Sequence, residues 1–199
     1  MISQVQHESL RAKYSPEGSL LRRQQERMLE ILCEIDRICK KHGIRYWLSS
    51  GTLIGAVRHG GFIPWDDDLD IEMMREDYDR LMKVLPGELS STMALQTHET
   101  DPTYFFYYAK IRDRRSVLAE GNKYDRMWKE QGIYIDIFPY DLIPDSETLR
   151  RKQRARVSFW INCFMAKSVW LWRWFGKANN NVILPKSWLS CLAIRLVTS

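Results

Sequence analysis

Nothing in the cysteine or histidine placement of this 199-residue chain suggests a transition-metal site. The four cysteines, Cys33, Cys39, Cys163 and Cys191, lack metal-ligand spacing, and the six-residue step from Cys33 to Cys39 within a helical stretch does not favour a disulfide. Reduced, buried thiols in a cytoplasmic protein are expected instead. His42, His59 and His98 show no ligand spacing either and read as structural or exposed. No run of eighteen uncharged apolar residues occurs, so no bilayer span is expected. The first thirty residues are polar and charged, so no secretory signal or N-terminal anchor is expected. Internal repeats and low-complexity tracts are lacking as well. That leaves one domain, or one domain with an appendage, with enough apolar and aromatic residues for a core.

The charge is unevenly placed. Residues 145–199 hold ten Lys and Arg against Asp145 and Glu147, a balance of +8, and five of the eight tryptophans. Residues 1–144 balance at −3. A basic, tryptophan-rich tail on a slightly acidic body calls for a partner. Arg150, Arg151, Lys152, Arg154 and Arg156 precede Trp160, Phe164, Trp170, Trp172 and Trp174. This segment reads either as an interfacial helix making peripheral contact with anionic lipid, or as a helix packed on the sheet of the body or against a missing part. No aromatic/basic recognition motif accompanies the charge, which argues against nucleic acid.

Apolar periodicity predicts a helix from Leu20 to Lys41, ended at Gly43. Residues 1–19 have no clear period and read as a flexible lead-in. Ile44 to Leu48 reads as a strand, Leu53 to Arg58 as a helix, and Arg75 to Leu85 as a helix stopped by Pro86-Gly87. Met93 to Thr97, Tyr104 to Arg112 and Ile133 to Phe138 read as strands. Ser146 caps a long helix towards Phe175, Lys177 to Asn181 is a loop, and Trp188 to Val197 is a short helix. The fold class is α+β (mixed α/β).

The chemistry concentrates between Ser49 and Met73. Asp68-Leu69-Asp70-Ile71-Glu72-Met73 has the period of a strand, with Asp68, Asp70 and Glu72 on one face. Two carboxylates two residues apart can share a hard dication, whose remaining ligands are commonly phosphate oxygens. Ser49, Ser50, Gly51 and Thr52 form a small-residue turn whose amides could hold those phosphates. The alternative is an ordinary solvated acidic loop after Pro64. Asp136 lies between Ile135 and Ile137 on an apolar strand, where an uncompensated carboxylate is costly; the alternative there is a strand-end Asp bonded to a nearby turn. Arg58, Lys110 and Arg112 are candidates to neutralise diphosphate charge, with surface salt-bridging as the alternative. Trp65 could stack on a base or a choline group, or plug the core beside the loop. Glu72, Asp66 and Asp67 are weaker candidates, the last two second to the metal or simply solvated.

Three stretches carry a resemblance: Ser50 to His59, the string Phe62-Ile63-Pro64-Trp65-Asp66-Asp67-Asp68-Leu69-Asp70-Ile71, and Gly132 to Pro139. They resemble the signature of the LicD/fukutin family of the nucleotidyltransferase-fold superfamily, over about residues 24–145. The resemblance implies a small mixed sheet flanked by helices, with a catalytic domain at 20–145 and a basic helical tail at 146–199. It implies transfer of a phospho-alcohol such as phosphocholine from a CDP-alcohol donor to a sugar hydroxyl of a glycan or lipid-linked acceptor. It implies Mg²⁺ or Mn²⁺ held by Asp68, Asp70 and Asp136, with Asp136 binding the metal that activates the acceptor or taking the acceptor's proton. Phosphate contacts would come from Ser50, Gly51, Thr52, Arg58, Lys110 and Arg112. Members usually continue with a further C-terminal segment, so a fragment or a shortened member is expected here. Two other readings stand beside this one: a nucleotidyltransferase of the same fold using ATP, and a non-catalytic nucleotide-binding module.

Overall fold

The computed structural model describes residues 3–119, 121 and 127–175. Among the described residues, five helices, α1 (Gln4–Tyr14), α2 (Leu20–His42), α3 (Ser50–His59), α4 (Arg75–Glu88) and α5 (Glu147–Phe175), accompany five strands. The strands are β1 (Trp47–Leu48), β2 (Asp70–Met74), β3 (Met93–Gln96), β4 (Ala109–Asp113) and β5 (Tyr134–Tyr140). They form one mixed sheet in the order β1-β2-β5-β4-β3. This is the α+β fold that the sequence predicts.

The sheet has two unlike faces because strand side chains alternate. Ile71 and Met73 of β2, Ile135 and Ile137 of β5, and Ala109 and Ile111 of β4 all point to one side, where they are buried. On that side they pack with Met28, Ile31, Ile35 and Ile38 of α2 and Tyr78, Leu81 and Leu85 of α4. Each such aliphatic chain contributes about 1.5–3 kcal/mol on burial. The three- and four-residue steps of α2 place its apolar stripe on this core, and Gly43, at φ 59°, ends the helix in the left-handed conformation.

The opposite face carries Asp70 and Glu72 of β2, Tyr134, Asp136 and Phe138 of β5, and Lys110 and Arg112 of β4. Parallel pairing of β2 with β5 sets Asp70 beside Asp136, and antiparallel pairing of β4 with β5 sets Lys110 beside Asp136. An acid, an acid and a base thus lie in one row across three central strands.

Several elements differ from the sequence expectation. Residues Gln4–Tyr14 form a helix although they show no apolar period, because Ser3 and Gln6 close a capping box at its start. Tyr104 to Tyr108 is not strand. Asp101 accepts from the Thr103 amide and hydroxyl, and the Tyr104 amide bonds the Asp101 carbonyl, so a turn takes the hydrogen bonds a strand would need. α4 runs on to Glu88 because Pro86 removes one backbone bond while its fixed φ suits a final helical turn.

The chain divides into two compact units. The first comprises Met1–Leu95, Tyr108–Glu120 and Glu130–Asp141, and the second comprises Gln96–Tyr107, Gly121–Lys129 and Leu142–Ser199. The second unit thus includes two inner segments besides the C-terminal part. That unit has its own aromatic cluster of Tyr104, Phe105, Met127 and Trp128. It also contains α5, the long helix expected after Ser146, with exposed basic residues from Arg150 to Arg156 and exposed Phe159 and Trp160. Among the described residues no helix is long and apolar enough to cross a membrane. Cys33 and Cys39 are free thiols. The expected loop at Lys177 to Asn181, the expected helix at Trp188 to Val197, and Cys191 lie outside the described residues.

Candidate functional site

The site lies where α3 begins and β2 begins, all within the first unit. Thr52 on the first turn of α3 accepts a hydrogen bond from the Asp70 amide at 2.9 Å, and the Ser49 amide donates to the Asp70 carbonyl at 3.1 Å. The start of the helix is therefore tied to the first residue of the acidic strand. Ser50 sits in the left-handed region at φ 47°, a strained conformation for a residue with a Cβ. Ser49 precedes the helix but gives its hydroxyl to Glu72 rather than capping the first turn. Trp47 also donates to Glu72, at 2.9 Å, which leaves Glu72 as a brace between β1 and β2 rather than a site carboxylate.

Asp68 is exposed, in the extended segment just before β2, and Asp70 is half-buried on the strand. The strand starts two residues later than its alternation predicts, although Leu69 still points into the core. The Asp136 amide donates to the Leu69 carbonyl at 3.0 Å, which carries the parallel ladder one step further.

Asp136 is buried and accepts a 2.6 Å hydrogen bond from the Lys110 ammonium. The Lys110 ammonium also lies 3.4 Å from the centroid of the Tyr134 ring, and the Arg112 guanidinium lies 4.5 Å from the same centroid. Arg112 is fully buried and donates to the Gly132 carbonyl at 2.9 Å. Lys110 and Arg112 do share one strand face, as period two predicts, but both are turned inward against β5. Arg58 is exposed on the last turn of α3, about 9 Å along the helix axis from Thr52, and is not brought to the acids.

Gly51 has a neighbour that the sequence does not suggest. A Cβ there would lie 2.7 Å from the Asp66 Oδ2. The space left by the missing side chain is thus taken by the first carboxylate of the acidic run. Two α2 residues brace that run: Gln25 donates to the Asp66 carbonyl at 2.9 Å, and Gln24 to the Asp67 carbonyl at 2.6 Å. Gln25 is itself buried within an apolar helix face, and a glutamine at a core position is the one sequence signal that could have marked it. Tyr134 had no such signal.

Electrostatics sets this cluster apart. Burial, then the charges of Asp68 and Asp136, push the Asp70 carboxyl up to about 7 against the partial relief of Lys110. Burial, then Asp68 and Asp67, push Asp66 up to about 6. Burial also raises Asp136, with Lys110 and then Arg112 opposing it. Among the described residues no group of three or more His, Cys, Asp and Glu converges on one point as a bound ion requires. The donor set nevertheless fits a hard dication. It is all oxygen, its members repel one another, and the Asp66 Oδ2 is buried without a hydrogen-bond partner among the described residues.

The family model described as the nucleotidyltransferase domain of LicD, FKTN and FKRP matches residues 43–193. The lipopolysaccharide cholinephosphotransferase LicD of Haemophilus influenzae is 39% identical over 145 residues, which cover 70% of this chain and 53% of that protein. The ribitol 5-phosphate transferase FKRP of Homo sapiens is 43% identical over 51 residues, 26% of this chain and 10% of its own length. The mannosyltransferase regulator 4 of Saccharomyces cerevisiae is 28% identical over 120 residues, 57% of this chain and 10% of its own. The chain spans about half the length of the Haemophilus protein and a smaller share of the others.

Proposed function

Because this chain belongs to the LicD/FKTN/FKRP nucleotidyltransferase-domain family, we propose that it transfers a phospho-alcohol from a CDP-alcohol donor to a sugar hydroxyl of a glycan or lipid-linked acceptor. The observation that carries this reading is the row Asp70, Asp136 and Lys110 across three strands, beside the first turn of α3. A nucleotidyl-type transfer needs carboxylates beside an anion-accepting backbone, and this corner of the sheet supplies both.

Asp68 and Asp70, with Asp136 beside them, would hold Mg²⁺ or Mn²⁺, which when bound offsets the charge of the diphosphate and polarises its oxygens. The amides of Ser50, Gly51 and Thr52 face a donor diphosphate from the helix N-terminus. Asp136, raised by burial, is suited to take the acceptor's hydroxyl proton, and Lys110 fixes its carboxylate. The acceptor oxygen bonds to the phosphorus bearing the alcohol, the anhydride P–O bond breaks, and CMP leaves. Arg112 acts on Asp136 by its charge, and Tyr134 on Lys110 by its ring, rather than by touching the diphosphate.

The free thiols Cys33 and Cys39 support a reducing, cytoplasmic setting. The exposed cations of α5 beside exposed Phe159 and Trp160 support peripheral contact with an anionic membrane.

The test is CMP release from CDP-choline, CDP-ribitol and CDP-glycerol with a panel of glycan acceptors, with and without Mg²⁺, beside ATP as an alternative donor. Mg²⁺-dependent turnover of one CDP-alcohol, lost in Asp68→Asn and Asp70→Asn, is expected. Turnover of ATP alone, or nucleotide binding without turnover, overturns the proposal.

A further inference from the structure

The signature stretch Arg58-His59 and the aromatic Trp65 have no part in the chemistry above, yet they meet at a second constellation. α1 brings His7 against His59 at the end of α3, with their Nδ1 atoms 3.0 Å apart. The ring centroids are 5.2 Å apart and the planes inclined by 53°, so the nitrogens face each other edge to edge rather than stacking. Trp65 lies edge-on to His59 at 6.2 Å and to Tyr14 at 5.2 Å. Both imidazoles are only part-buried, so water and ions can reach them.

From this arrangement the geometry points to a two-histidine site for a borderline divalent transition ion such as Zn²⁺ or Ni²⁺, held by the Nδ1 atoms of His7 and His59 and completed by water. Two imidazole nitrogens about 2.0–2.1 Å from one metal ion lie about 2.9–3.4 Å apart for bond angles between a right angle and a tetrahedron. The observed separation falls inside that range. Imidazole ligates in its neutral form. Burial, then the charges of His7 and Arg58, hold His59 below its ordinary value, which favours that form at neutral pH.

Nitrogen ligands select against Mg²⁺, whereas the carboxylate corner selects for it, so the two sites in one chain would differ in the ions they accept. The site also has a structural consequence. The two ligands come from elements 52 residues apart, so an ion there would clamp α1 to α3. It would also fix the neighbourhood of Trp65, which directly precedes Asp66 in the acidic run.

The full chain is titrated with Ni²⁺ and with Zn²⁺ by calorimetry at neutral pH, in millimolar Mg²⁺ to occupy the carboxylates. One ion per chain is expected. His7→Ala and His59→Ala should each weaken it about tenfold or more, since each removes one arm of a chelate. Ni²⁺ should also quench fluorescence in the parent more than in Trp65→Phe. His7 lies on an outer helix, so its variant decides the matter should His59→Ala fail to fold. Failure of the parent to bind either ion shows that the imidazoles share only an N–H···N hydrogen bond, and overturns the site. Undiminished binding by His7→Ala does the same.

Discussion

Replacing Lys110 by Met removes one half of a buried ion pair and leaves the other half in place. The Lys110 side chain is 4% exposed and that of Asp136 is 12% exposed, with 2.6 Å between ammonium and carboxylate. On a protein surface such a pair contributes at most about 1 kcal/mol. Here the Asp136 carboxylate would stay buried without its hydrogen-bonded cation, and losing a buried partner costs about 3–5 kcal/mol. Asp136 can relieve this by taking a proton, the direction in which burial already pushes it. The sign with pH follows. In Lys110→Met the folded-state carboxyl lies further above its unfolded value than in the parent. The extra destabilisation therefore grows as pH rises above the parent's own raised value and disappears in acid, where the carboxyl is protonated in both folded forms. Urea denaturation of the parent, Lys110→Met, Asp136→Leu and the double variant measures this. The double variant should recover to within about 2 kcal/mol of the parent, because an apolar pair leaves no buried charge. A loss under 1 kcal/mol in Lys110→Met, or a double variant as unstable as the sum of the singles, refutes the pairing.

Asp70→Asn should stabilise the metal-free protein. A carboxyl raised to about 7 destabilises the fold above its unfolded value, so the gain should be about 2 kcal/mol at pH 8, halved for residual solvent access, and should vanish near pH 4. Thermal melts in EDTA across that range test it, and millimolar Mg²⁺ should raise the melting temperature of the parent but not of the variant. Gly132→Ala should prevent normal folding, since its Cβ would meet the Asp113 carbonyl oxygen at 1.6 Å, whereas Gly87→Ala in α4 meets nothing within 4 Å and should be neutral or stabilising by about 1 kcal/mol; circular dichroism and melts separate them. Gly51→Ala should keep the fold but displace Asp66, weakening CDP-alcohol binding about tenfold by calorimetry; unchanged affinity would show that the Asp66 position is irrelevant to the donor. Deleting residues 150–199 should lower co-sedimentation with anionic vesicles at low salt, and equal sedimentation of both forms would assign α5 to packing.

The sequence by itself determined the local features whose causes lie within a few residues. The stripe Met28, Ile31, Ile35 and Ile38 followed by Gly43 specifies α2, because helix period and a left-handed cap are properties of neighbouring residues. The alternation from Leu69 to Met73 likewise specifies which β2 residues turn inward, and Ser146 announces the start of α5. The family signature was readable because its residues are contiguous. Pairing across the sheet was not readable, since a strand's sequence does not name its neighbour. Only the fold sets Asp70 on one side of Asp136 and Lys110 on the other, and so turns a residue read as a phosphate contact into the partner of a carboxylate. Period two placed Lys110 and Arg112 on one face correctly but could not say that this face is buried. The same holds for Gly51, whose missing side chain reads as room for a phosphate and is filled by Asp66 fifteen residues later. His7 and His59, 52 residues apart, show no spacing at all until α1 is laid against α3. Burial and charge proximity are properties of the folded chain, so tertiary structure decided which of these acids, bases and imidazoles meet.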